Sequence, residues 1–165
     1  MKPTSKVSGK TARSASRVAA VQGLYQMDMA QTDLNAVIDQ FRAVRFEQAE
    51  PGDAICGADP TFFAELLKGV VRRQRDIDPI VDQQLAVGWQ LERVDSILRA
   101  ILRASVFELL ERRDVPARVV INEYIDIAHA FFAEDEPKVV NGILDKVARR
   151  LRAQEFAEKP PVRES

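Results

Sequence analysis

Among its 165 residues the chain holds one cysteine, Cys56, and one histidine, His129. A single cysteine excludes an intramolecular disulfide and suits a reducing, cytoplasmic setting. One His and one Cys do not make a common zinc site. A nucleophile–base couple built from them would need unusual partners. The seven glycines are scattered at positions 9, 23, 52, 57, 69, 88 and 142. None forms a GxxxxGK[ST] or GxGxxG loop able to cradle phosphate, and no serine sits in a G-x-S-x-G elbow. There is no apolar run of eighteen residues, which argues against a membrane-spanning helix. The N-terminus lacks the apolar stretch of a secretion signal. These absences predict a cytoplasmic protein that is not an enzyme and needs no cofactor or metal. Glu123 and Asp126 do share a helix face, three residues apart. A solvated face explains them as well as an acid–base pair would.

What is present is apolar content and helical periodicity. Hydrophobic residues make up 46% of the chain, enough for one domain with a real core. Val18, Val21, Leu24, Tyr25 and Met29 recur at three- and four-residue steps, and Leu34, Val37, Ile38 and Phe41 repeat the pattern. Thr32 or Asp33 can cap the second run. A loop follows at about 49–58, with Pro51, Gly52 and Gly57. Asp59-Pro60 is a helix-start signal ahead of Phe62, Phe63, Leu66, Leu67, Val70 and Val71. Asp78-Pro79 repeats it before Ile80, Val81 and Leu85, and Gly88-Trp89 marks a further break. Residues 94–110 carry the widest apolar face, which predicts a central helix. Asp114-Val115-Pro116 separates it from a helix over 118–132, and Asp135-Glu136-Pro137 opens the last helix. The spacing predicts an all-α fold of about seven helices. It places a flexible basic arm at 1–11, the helical domain at 12–154 and a flexible tail at 155–165.

The net charge is only −1, so any nucleic-acid surface must be local. Lys2, Lys6, Lys10, Arg13 and Arg17 precede the first carboxylate, Asp28, and acids dominate from there to Asp59. A basic arm ahead of an acidic body fits nucleic-acid binding, and fits a solvated terminus equally well. Lys10, Arg13 and Arg17 share one face of a first helix, a face that continues into Val21 and Leu24. Cations at a helix N-terminus oppose the helix dipole, which favours the binding reading. Lys68, Arg72, Arg73 and Arg75 form a second basic group, more simply read as a solvated helix face. Tyr124, Phe131 and Phe132 form a third group, near Asp135 and Lys138. Aromatics can stack on single-stranded bases, but spacing alone assigns Tyr124 and Phe131 to the core and leaves Phe132 open.

The segments 120–128, 133–135 and 138–146, reading VINEYIDIA, AED and KVVNGILDK, resemble the C-terminal signature of the NusB family. Supporting similarity lies in Arg17 to Tyr25, Leu66 to Val70, Ile101 to Arg103 with Glu108-Leu109, and Asp114 to Pro116. The resemblance spans about residues 12–150. It implies an all-helical fold of two small bundles that binds the boxA element of ribosomal RNA leaders. The implied partner is NusE, ribosomal small-subunit protein S-ten, with other Nus factors and RNA polymerase engaged indirectly. Carried onto this chain, the RNA contacts are Arg13, Arg17, Tyr25, Asp135 and Lys138, joined by Lys10 from the basic stripe. Ser14, Ala15 and Ser16 thin the family's arginine cluster, Val139 stands where an aromatic is common, and the Pro51–Gly57 loop is long for the family. A NusB-like domain also fronts ribosomal RNA methyltransferases, but this chain shows no methyl-donor loop. A pure protein scaffold is the remaining alternative. Self-association is compatible with the wide apolar helix faces.

Overall fold

The computed structural model describes residues 9–85 and 94–157. Among these, six helices and no strand are present. Helix α1 spans Gly9–Ala30. Helix α2 starts at Leu34–Gln40, passes through a π-helical turn at Phe41–Arg45 and ends at Phe46–Gln48. Then come α3 (Pro60–Gln84), α4 (Ser96–Glu111), α5 (Ala117–Phe131) and α6 (Glu136–Leu151), followed by a 3-10 turn at Ala153–Phe156.

Local chemistry explains most boundaries. Gln31 adopts a left-handed φ of 55° and closes α1. Asp33, Asp59 and Asp95 each accept hydrogen bonds from the two free N–H groups that follow, so α2, α3 and α4 begin where acids precede apolar stripes.

One boundary expectation needs correction. Asp78-Pro79 does not start a helix, because α3 runs through it. Proline inside a helix forfeits a hydrogen bond at a cost of about 3 kcal/mol, but tertiary contacts offset it. Ile77 and Val81 are fully buried on either side. Asp78 spends its carboxylate on Arg103 of α4, with both contacts at 2.9 Å. Merging these two segments lowers the expected seven helices to six. The Asp135-Glu136-Pro137 signal does open α6, although the Asp135 side chain makes no cap bond. Its backbone is already helical, and only its carbonyl accepts from Lys138 and Val139. The Gly88-Trp89 break lies outside the described residues.

Helix α4 is central, packing against α1, α3, α5 and α6. All six helices contribute to one continuous apolar interior, in which α4 packs as extensively against α3 and α1 as against α5 and α6. Helices α3 and α4 approach closely at Gly69 of α3, where a Cβ would sit 2.1 Å from the Phe107 ring of α4. Only glycine allows that crossing. Some residues assigned to the expected arm and tail are helical. Helix α1 already includes residues 9–11. Glu155 bonds the Ala117 N–H at 2.8 Å, and Phe156 packs against the core under Arg149.

Candidate nucleic-acid interface

Arg17 is not on the surface. It is 2% exposed, because the face it shares with Val21 and Leu24 turns inward one helical turn earlier than the basic stripe suggests. Its guanidinium grips Glu108 of α4 with two bonds, Nε to Oε2 at 2.7 Å and Nη2 to Oε1 at 2.9 Å. Nη1 donates to Glu123 Oε1 of α5 at 3.1 Å. The Tyr124 hydroxyl donates to Glu108 Oε2 at 2.6 Å, and Ser14 Oγ donates to Glu123 at 2.5 Å. Burial alone would disfavour the charge on Arg17. The bonds to Glu108 and its negative charge outweigh that, and raise the guanidinium pKa above its ordinary value. Burial, then the Glu108 charge, push the Tyr124 phenol well above its ordinary range. Arg17 thus ties α1 to α4 and α5, and cannot meet RNA without leaving the core.

Arg13 stays half-exposed. Its guanidinium stands 4.8 Å from the centre of the buried Phe62 ring and 3.7 Å from Asp114. Arg17 and Arg112 flank the same ring at 5.2 Å, so Phe62 sits among three guanidinium groups. Hydrogen bonds from Arg112 hold the Asp114 carboxyl down at about 2. Lys10 belongs to the first turn of α1, and its side chain lies outside what is described.

Tyr25 is 39% exposed and lines an open groove of about 400 Å³ with Gln22, Met29, Arg45, Ile97 and Phe131. Here the structure reverses a core assignment. Phe131 is 38% exposed at the end of α5, whereas Tyr124 is fully buried and Phe132 is partly buried. A short turn leads from Phe131 to Asp135 and Lys138, both exposed. Among the described residues, neither of those two side chains has an ion pair or hydrogen bond.

The structure therefore brings Tyr25 together with Phe131, with Asp135 and Lys138 following one turn later in the chain. It does not bring Arg13 beside Tyr25. Twelve residues of helix separate them, about 18 Å along the axis and about 120° around it. Gln22 and Arg45 had no sequence signal as site residues, and Phe131, though in the aromatic group, was assigned to the core by its spacing. Phe131 fits a helical apolar stripe, and the π-turn that sets Arg45 has no 3.6-residue signature.

The second basic group is a paired surface. Arg72 and Arg73 both hold Glu111, at 2.7 and 2.6 Å. Among the described residues, no cluster of three or more His, Cys, Asp or Glu could hold a metal ion. None of the described helices is long and apolar enough to cross a membrane.

The profile of the NusB family matches residues 14–149. Transcription antitermination protein NusB of Allorhizobium ampelinum is 51% identical over 140 residues, which cover 85% of this chain and 88% of that one. The same-named protein of Rhodopseudomonas palustris strain TIE-1 is 47% identical over 146 residues, covering 88% and 84%. Among solved structures, T. maritima NusB aligns with a TM-score of 0.71 at 26% identity, covering 94% of this chain and 99% of that one. A structure of antitermination factors NusB and NusE in complex with double-stranded RNA gives a TM-score of 0.68 at 24% identity, covering 84% and 97%. At that identity the last likeness speaks for the fold alone.

Proposed function

The chain belongs to the NusB family of transcription antitermination proteins, and from that premise we propose that it binds the boxA element of ribosomal RNA leader transcripts together with NusE. Its role is to keep polymerase elongating through ribosomal RNA genes. The observation that carries this reading is the match to curated NusB proteins at 47–51% identity over most of the chain. The choice of partners follows those of the solved complex of NusB and NusE with double-stranded RNA, whose NusB shares this fold. Other Nus factors and RNA polymerase enter indirectly, in the cytoplasm, and self-association of the chain remains compatible with the role. The reading calls on no catalytic group. The family consists of RNA-binding regulators.

The proposed RNA surface is Arg13, Tyr25, Asp135 and Lys138, with Lys10 at the start of α1. Arg13 and Lys138 supply positive charge for phosphate, Tyr25 offers a ring for stacking, and the Asp135 carboxylate can accept from a base amino group. Arg17 drops out of this set and becomes the residue that anchors the basic end of α1. The test is a salt titration of boxA binding by Arg13→Gln, Lys138→Gln and the double variant. Each lost single-strand phosphate contact should flatten the log–log slope by roughly 0.7, and the double variant by roughly 1.4. An unchanged slope in all three would remove both residues from the interface.

A further inference from the structure

The Tyr25 groove does not end at Arg45. Gln22 and Arg45 also line a second hollow of about 380 Å³, walled by Gln48, Asp53 and Ile55. The two hollows share these residues as their common rim and adjoin there as the two halves of one surface trench. Its near half is apolar, with Tyr25, Phe131 and Ile97. Its far half is polar and is bounded by the long loop that follows α2.

Arg45 stands at the junction, and its position is built. It closes the π-helical turn Phe41–Arg45, and such turns shift the direction of the side chains that follow. Its guanidinium lies 4.5 Å from the centre of the buried Phe41 ring, and Nη2 donates to Gln22 Oε1 at 2.8 Å. Both contacts fix the cation, and neither neutralises it. Among the described residues Arg45 has no carboxylate partner, in contrast to Arg13, Arg17, Arg73 and Arg112. A held, uncompensated arginine beside two exposed aromatic rings matches the chemistry of single-stranded RNA, with a base for the rings and a phosphate for the cation.

We propose that Arg45 is a phosphate contact and Phe131 a stacking wall for one unpaired nucleotide, so that the RNA strand crosses the trench towards the 49–59 loop. This rests on the RNA-binding reading above.

The test uses the full chain and a fluorescent boxA RNA carrying several extra nucleotides at each end, titrated over a range of salt. Arg45→Gln should weaken binding several-fold and flatten the log–log salt slope by roughly 0.7. Arg45→Lys should restore the slope. Phe131→Ala should weaken binding about ten-fold with the slope unchanged, because stacking releases no counterions. Melting curves matching the parent chain exclude misfolding as the cause. If Arg13→Gln and Lys138→Gln weaken binding while the Arg45 and Phe131 variants bind like the parent, the trench assignment is wrong and the RNA reading stands. Loss of NusE binding alone in these variants would also overturn it, making the trench a protein-docking surface. If the parent chain binds no RNA, both fall.

Discussion

Glu108→Ala should cost about 3–5 kcal/mol of stability, the range for removing one partner of a buried ion pair. The size follows from what stays behind. Arg17 would lose both bonds of its fork, keep only Glu123 at 3.1 Å, and remain almost fully buried. The Tyr124 hydroxyl, also inside, would lose its acceptor. An unpaired cation and an unsatisfied hydroxyl in one interior site are each expensive. For a chain of this size the melting temperature should fall by about 10–15 °C. The pair itself need not stabilise the fold relative to apolar residues. Arg17→Met with Glu108→Leu should therefore recover part of the loss, because the Arg17 cation is no longer stranded, while the Tyr124 hydroxyl still lacks its acceptor and Glu123 keeps only Ser14. Urea or thermal denaturation of the two single variants and the double variant measures this coupling. A loss under about 1 kcal/mol for Glu108→Ala would mean that water reaches Arg17, contrary to the packing described here.

Arg152→Ala is expected to be the second most damaging change, at about 3 kcal/mol. Arg152 has a fully buried side chain just past the end of α6. It donates to the carbonyls of Leu109 at 3.0 Å and of Glu108 and Arg112 at 2.8 Å, and also to Val115. The Leu109 carbonyl is one that the C-terminus of α4 leaves without an intrahelical partner, whereas the Glu108 and Arg112 carbonyls also accept from the Arg112 and Val115 N–H groups. The positive charge also meets the negative end of that helix dipole. Each buried group left unpaired costs about 1–3 kcal/mol, reduced where water enters the vacated space. Glu155 extends the device. Its carboxylate takes Arg152 on one oxygen and the Ala117 N–H on the other. One side chain thus locks the end of α4 to the start of α5 and the end of α6. Arg152→Lys should recover part of the loss, since an ammonium group lacks the planar fork that reaches several carbonyls at once. In urea titrations the midpoint should drop with the m-value unchanged. An unshifted midpoint for Arg152→Ala would show that the carbonyls are satisfied without it.

Much of the fold was legible because it is locally encoded. Asp33 and Asp59 stand before apolar stripes, and cap the helices that begin there. The wide apolar face of residues 94–110 correctly marked a central helix. Asp78-Pro79 misled because the rule for a start signal is local, whereas the carboxylate of Asp78 is spent on Arg103, which lies 25 residues further on. Arg17 misled for a related reason. Helical spacing places it with Lys10 and Arg13, but its partner Glu108 is 91 residues away, and no local pattern shows that an acid waits inside. Val21 and Leu24 on the same face were the available hint that the stripe turns inward. Phe131 obeys the period of a buried stripe, yet it lies on the last turn of α5 and opens to the groove. The proposed RNA surface was thus only partly readable. Tyr25 and Lys138 are exposed, Arg17 is a core residue, and the Arg45 trench depends on a π-turn.

The most direct test of the central claim is a titration of fluorescent boxA RNA with this protein, run with and without NusE at one fixed salt concentration. The protein alone should bind the RNA, and NusE should tighten that binding. No RNA complex under either condition would contradict the assignment and leave a protein scaffold with an incidental basic end.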